Sequence, residues 1–168
     1  MSTRALGGST SLIASPHRPH AMYRNLLVPV DGTELSDKAM LRSIELAQQL
    51  AATITAFIVE PTLPLPAVGR PAAMVIAESE LHDLHIAHHA HEVLKTFEAR
   101  AQAAGVAFSG HYRQAPRVPE AIAEAAAEHH CDMIVMATHG RGAFSELMFG
   151  SITKRVMAAS RVPLLVLH

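Results

Sequence analysis

Short apolar segments alternate along the chain with segments whose apolar residues recur at helical spacing, and this alternation strongly constrains the fold. After the first apolar segment, for example, Met40, Ile44 and Ala47 fall on one helical face. The pattern predicts strands over residues 25–30, 54–59, 106–112, 132–137 and 164–167. It predicts helices that begin near Ser36, run over residues 77–104, begin at Pro119, and run over residues 152–159.

The predicted strands are apolar along their length, which is typical of parallel strands buried on both faces. We therefore expect an α/β fold: an open five-stranded parallel sheet, of order 3-2-1-4-5, with helices on both faces. In such sheets ligands bind at the carboxyl ends of the strands, where the strand order reverses. Strands one and four flank that point, so Asp31 and the loop at residues 137–153 are expected to share one crevice.

Local signals set the expected ends of several elements. Pro29 has no N–H to donate to a ladder, so we expect it at the end of the first strand. Ser36 is expected to cap the first helix, with Asp37 in its first turn. Gly105 is expected to stop the long second helix, and Pro163 to separate the last helix from the last strand.

Length and charge limit the functional classes that are open to the chain. The 168 residues fit one domain, and a net charge of −1 does not suggest the basic stripe of a nucleic-acid-binding protein. The apolar runs are far shorter than the ~20 residues that span a bilayer. Residues 1–21 are rich in Ser, Gly, Thr and Pro without helical periodicity, so we expect a flexible tail there and a folded domain over residues 22–168. The single cysteine, Cys131, favours a cytoplasmic location.

The segment at residues 137–153 carries the clearest functional signal. Gly140 and Gly150 stand ten positions apart between a predicted strand and a predicted helix, and Ser151 follows at the start of that helix. A glycine-rich loop offers accessible backbone N–H groups, and a helix N-terminus adds unpaired donors and partial positive charge. The combination favours a phosphate group as ligand, although the glycines could instead only shape a turn. The chain has neither a Walker A motif nor the complete Rossmann fingerprint.

From about Tyr23 onward the chain resembles the universal stress protein family. The resemblance rests on Asn-Leu-Leu-Val-Pro-Val-Asp-Gly at residues 25–32, on the glycine loop, and on Ser-Arg-Val-Pro-Leu-Leu-Val-Leu at residues 160–167. Nucleotide-binding members carry G-x-x-G, nine residues, then G-[ST]. Gly140, Gly150 and Ser151 match that pattern, whereas Ala137 replaces its first glycine.

The resemblance implies a fold like that of the adenine nucleotide alpha hydrolases and a site for ATP, or for ADP or AMP, with Mg²⁺ or Mn²⁺. Gly140, Arg141, Gly150, Ser151 and Ile152 would donate to the phosphates, and His139 lies in the same loop. Asp31 would bind the ribose hydroxyls or the divalent ion. The adenine and the sugar would contact the remaining residues of the implied site, which are Pro29, Val30, Ile58, Met136 and Ala137.

The resemblance also implies a nucleotide-responsive stress or signalling regulator with at most slow ATP hydrolysis, because no general base or arginine finger is recognisable. We expect a homodimer through the apolar last strand, about Val162 to Leu167, since an open sheet edge of this kind needs a cover. Two alternatives stay open: a dimeric interaction module with a vestigial nucleotide site, and an ATP-using adenylyl-transfer enzyme of a related fold.

Several residues have a structural interpretation beside the functional one. Asp31 could be only a turn residue before Gly32, and His139 has no recognisable nucleophile partner, so we assign no catalytic residue. The predicted second helix carries five of the twelve histidines, and we expect a solvated polar face there rather than a structural metal site. These histidines are His82, His85, His88, His89 and His91. Cys131 is expected to be a packed thiol at the start of a strand.

Overall fold

A computed structural model of the chain describes residues 22–62, 69, 71–137 and 150–167. Five strands and four helices alternate strictly in these ranges. The strands are β1 (Asn25–Pro29), β2 (Thr53–Pro61), β3 (Phe108–Ala115), β4 (Met133–Ala137) and β5 (Leu164–Leu167). The helices are α1 (Glu34–Leu50), α2 (Ala72–Ala103), α3 (Val118–Glu128) and α4 (Ser151–Ala159).

The strands form one parallel sheet of order β3-β2-β1-β4-β5, which confirms the predicted topology. In the register of the central pairs, Leu26 lies opposite Ile54 of β2 on one side and Met133 of β4 on the other. The order reverses at β1, so the first connection runs to β2 and the chain later returns to place β4 on the other side of β1.

Helices cover both faces of the sheet, also as predicted, because the side chains of β1 alternate between two apolar cores. Leu26 and Val28 pack in a core with the buried faces of α1 and α2, which include Met40 and Phe97. Leu27 packs in the other core with α3 and α4. With apolar groups removed from water on both sides, the sheet is a rigid base for residues at the ends of its strands.

The start of α1 differs from the sequence-based expectation. Ser36 is not the N-cap: the helix begins at Glu34, and the capping side chain is Thr33, whose Oγ1 accepts the Ser36 N–H at 3.2 Å. The Ser36 hydroxyl instead accepts the Asp31 N–H at 3.1 Å. Asp37 does lie in the first turn, as expected. The helix starts earlier than predicted because Thr33 already satisfies a donor of its first turn.

The glycine and prolines expected at the ends of the other elements lie there, but α2 and β3 begin at different residues from those predicted. Gly105, at φ +71°, follows the end of α2. Helix α2 begins at Ala72 rather than near Ala77, directly after Pro71, and β3 begins at Phe108 rather than near Val106. Pro119 lies in the first turn of α3, and Pro163 precedes β5. No helix in the described ranges is long and apolar enough to cross a membrane.

Candidate nucleotide site

The carboxyl end of β1 leads into a turn that is held by its own side chains. Asp31 is exposed, and its Oδ1 accepts two hydrogen bonds from Thr33, one from the N–H at 3.0 Å and one from the hydroxyl at 2.7 Å. Because the Asp31 N–H is bonded to Ser36, this residue is tied to the start of α1 through both backbone and side chain. These hydrogen bonds hold the carboxylate at the carboxyl end of β1, where the strand order reverses.

Gly32 completes this turn in a conformation that suits glycine. Its φ is +76°, and a Cβ at this position would lie 2.9 Å from Cγ2 of Val93 and 3.0 Å from Nε2 of His89. Any side chain at position 32 would therefore be strained and would also clash with α2. The imidazole of His89 thus borders the turn that carries Asp31, a proximity that the sequence analysis did not predict.

The adjoining strand ends supply the apolar part of the candidate site. Val30 is buried, and its N–H donates to the Phe57 carbonyl at 3.0 Å, while Pro29 is half-buried. Ile58 is buried and comes just after the last β1–β2 register pair, Pro29 with Phe57. The structure brings these three residues to the same end of the sheet as Asp31.

The end of β4 lies on the other side of the order reversal. Met136 is buried and Ala137 half-buried, and they pair with Val166 and Leu167 of β5. His139, Gly140 and Arg141, which follow in the sequence, lie outside the described residues, so their predicted roles stay predictions.

Helix α4 begins with an open N-terminus. Gly150 is its N-cap and provides no side-chain cap hydrogen bond. Ser151 and Ile152, the first two helical residues, are exposed. A Cβ built on Gly150 would meet no atom of the described residues within 4 Å. The first-turn N–H groups of an α-helix have no intrahelical acceptor, so this helix start can donate to an anion.

The backbone conformation of Gly150 does not require glycine. Its φ is −55° with ψ 156°, which other residues adopt readily. Substitution at Gly150 therefore carries no penalty from φ and no clash with the described residues.

Neither the histidines of α2 nor Cys131 forms a recognisable metal site in the described part of the chain. In the described ranges, no group of three or more His, Cys, Asp or Glu side chains is placed to hold a metal ion. Cys131 is buried, and desolvation, together with the negative charge of Asp132, raises the pKa of its thiol. A buried thiol with a raised pKa is a poor nucleophile, in agreement with a packing role.

Two features near the site were missed from sequence. Thr33 could have been recognised, since threonine is a preferred N-cap residue and the acidic Glu34 that follows it suits the first turn of a helix. The contact between His89 and Gly32 has no comparable local signal, because it depends on how α2 packs across the end of β1.

Comparison with known proteins agrees with the architecture. The family model described as "Universal stress protein family" matches residues 22–168. A curated relative, Universal stress protein MJ0531 of Methanocaldococcus jannaschii, is 30% identical over 146 residues, which cover 86% of this chain and 82% of the relative. The chain therefore belongs to the universal stress protein family.

Solved structures share the fold. A universal stress protein family member from Burkholderia pseudomallei has a TM-score of 0.68 at 25% identity, covering 89% of this chain and 98% of its own. A universal stress protein in complex with cAMP has a TM-score of 0.59 at 21% identity, covering 87% and 97%. The universal stress protein from Archaeoglobus fulgidus in complex with dAMP has a TM-score of 0.54 at 19% identity, covering 88% and 99%.

Proposed function

We propose that this protein binds ATP, or ADP or AMP, at the carboxyl ends of β1 and β4 and acts as a cytoplasmic, nucleotide-responsive stress or signalling regulator. One observation carries the proposal. The exposed Asp31 carboxylate and the uncapped start of α4 lie on elements that flank the reversal in strand order. Parallel sheets bind ligands at that position, and a helix N-terminus there suits a phosphate.

In this proposal different parts of the crevice bind the phosphates, the ribose or cation, and the base. The first turn of α4, with Gly150, Ser151 and Ile152, donates to the phosphates, together with Gly140 and Arg141 of the preceding loop. Asp31 binds the ribose hydroxyls or a Mg²⁺ or Mn²⁺ ion beside the phosphates, since carboxylate oxygens suit such cations. The base and sugar lie against the strand ends, at Pro29, Val30, Ile58, Met136 and Ala137.

The residues present are compatible with such a ligand. No atom of the described part of the chain lies within 4 Å of a Cβ built on Gly150, so on that side a phosphate can approach the backbone closely. Oδ1 of Asp31 is engaged by Thr33, and Oδ2 remains as the oxygen for a cation or a hydroxyl. The adenine nucleotides named for the solved neighbours, cAMP and dAMP, support the same ligand class.

The engagement of Asp31 by Thr33 also favours one alternative, in which the turn is purely structural and the protein is a dimeric module with a vestigial nucleotide site. The two accounts differ in what the purified protein contains. Mass spectrometry of small molecules released from protein purified without added nucleotide should find an adenine nucleotide near one per chain. Protein that is empty, and that stays empty after incubation with millimolar ATP and Mg²⁺ or Mn²⁺, would favour the vestigial site.

Catalysis is not a central part of this proposal. Hydrolysis of ATP should be slow, because neither a dedicated general base nor an arginine finger is recognisable in the sequence. An adenylyl-transfer enzyme would instead release pyrophosphate rapidly when given an acceptor substrate. Measuring phosphate and pyrophosphate separately, during incubation with ATP and a panel of carboxylate, hydroxyl and amine acceptors, distinguishes the regulator from that enzyme.

A further inference from the structure

Helix α2 is longer than the sheet that it covers. It has 32 residues, about 48 Å at the rise of an α-helix, and its fully buried residues Ala90, Phe97 and Ala101 all lie in its second half. Asp83 accepts a hydrogen bond from Nε2 of Gln114, at 2.9 Å, near the carboxyl end of β3. The residues that precede Asp83 continue about 16 Å beyond this contact. The first half of α2 therefore projects past the carboxyl edge of the sheet.

This projecting half carries an apolar surface, which we call the outer stripe: Met74, Ala77, Leu81 and Leu84. Met74, Leu81 and Leu84 expose 61%, 59% and 67% of their surface. At about 100° per residue, the stripe lies on the side of the helix roughly opposite the line of Ala90 and Phe97. The domain therefore uses one face of α2 for its core and leaves a second apolar face directed outward.

The spacing of the outer stripe indicates the kind of surface that it fits. Steps of three, four and three residues from Met74 to Leu84 are those of the a and d positions of a heptad repeat, and His88 continues the series. That period is the signature of one helix packed along another, because it keeps a single seam in contact with a partner helix. We propose that the outer stripe pairs with the same stripe of a second copy of this chain, in an antiparallel, twofold-symmetric helix pair. This goes beyond the proposed nucleotide function.

Size and charge favour one register of that pair. With Leu81 of one copy opposite Leu84 of the other, the two leucine layers form the centre of the contact. Ala77 then faces His88 of the second copy, a small side chain opposite a large one. At the flank of the seam, Glu78 faces His85 of the second copy, whose imidazole N–H can donate to the carboxylate. Sliding the helices by one heptad, so that Met74 faces Leu84, would instead place Glu78 beside Glu78 of the second copy. The two like charges would then repel each other.

Disulfide trapping tests this register directly. Leu81→Cys and Leu84→Cys should form a mixed disulfide when the two variants are combined, at least several-fold more than either variant alone. Cys131 is buried and should not compete. Met157→Cys, an exposed methionine on α4, is the control for random collision. Trapping no greater than in this control, or stronger disulfides within a single variant than between the two, would overturn the antiparallel pairing.

Sedimentation velocity tests the pairing without a new bond. A Leu81→Glu/Leu84→Glu double variant changes only exposed positions, and an unchanged circular dichroism spectrum would establish that it folds. With the β5 contact expected from the sequence also present, the wild type is a four-chain assembly, and without that contact it is a two-chain one. In either case the double variant should have half the wild-type mass, whereas the control Met157→Glu should match the wild type. A folded double variant with the wild-type mass at the same micromolar concentration would overturn the proposal.

Discussion

Oγ1 of Thr33 lies 2.7 Å from Oδ1 of Asp31, and the same hydroxyl oxygen accepts the Ser36 N–H at the start of α1. One short network thus links the end of β1 to the first turn of a helix. It gives Asp31 two tasks, one in the turn and one, in our proposal, in nucleotide binding. One substitution can remove only the charge of Asp31, and another can also remove its hydrogen-bond acceptor. Comparing the two variants can therefore distinguish these two roles.

We expect Asp31→Asn to keep the turn and to lose the ligand contact. The amide oxygen can still accept from Thr33, so the free energy of unfolding should change by less than about 0.5 kcal/mol. Asp31→Ala removes the acceptor as well and should cost about 1 kcal/mol of stability. Both variants should bind ATP more weakly and with less dependence on divalent ions. Denaturant titration and calorimetry measure the two effects, and wild-type affinity in Asp31→Asn would exclude the carboxylate from the site.

Ser43 offers a test of the α1 core. Its side chain is fully buried in α1, and its Oγ has no hydrogen-bond partner among the residues that the structure describes. An unpaired buried hydroxyl is costly and alanine is the better helix former, so Ser43→Ala should raise the free energy of unfolding by about 1 kcal/mol. A higher midpoint in urea with an unchanged slope is the expected result. A lower midpoint would mean that the hydroxyl has a stabilising partner.

The stacked pair of His111 and His129 predicts a pH dependence of stability. Their ring centroids are 4.0 Å apart, and burial, followed by repulsion from His129, lowers the pKa of His111 below its ordinary value of 6.5. Below pH 6.5 the unfolded state then binds more protons at this residue, so the contribution of neutral His111 is lost as pH falls toward the lowered pKa. His111→Gln should therefore make stability decline less between pH 7 and pH 5. His82→Gln, at an exposed position on α2, is the control and should leave the wild-type slope.

The dimer predicted from the sequence would form through the outer edge of β5. Among the described strands β5 pairs with β4 alone, through contacts such as Met136 with Val166, and its other edge is available to a second copy. Val166→Lys should place a charge in that contact and halve the mass seen by sedimentation while lowering the melting temperature only a little. Leu41→Lys, on the exposed side of α1, is the control. An unchanged mass in Val166→Lys would show that β5 does not pair between copies.

The sequence predicted the sheet order and the two covered faces because each strand is a short apolar run and each helix has a clear apolar period. It predicted the start of α1 less well, since Thr33 and Ser36 are both competent caps and only the bond to Asp31 decides between their roles. The neighbour of Gly32 could not be predicted, because His89 reaches it through the packing of α2 rather than through any local pattern. The backbone angles of Gly150 could not be predicted either, since a glycine in such a loop can have a positive or a negative φ, and here φ is −55°.

Isothermal titration of ATP, in the presence of Mg²⁺ or Mn²⁺, into the wild type and Gly150→Val tests the central claim most directly. A Cβ at position 150 meets no atom of the described residues and φ is −55°, so the variant should fold like the wild type, yet its side chain would obstruct a phosphate at the start of α4. We expect binding near one site per chain in the wild type, loss of binding in Gly150→Val, and a smaller loss, roughly 1–2 kcal/mol, in Ser151→Ala. No heat of binding in the wild type at millimolar nucleotide, or full affinity in a folded Gly150→Val, would contradict the account.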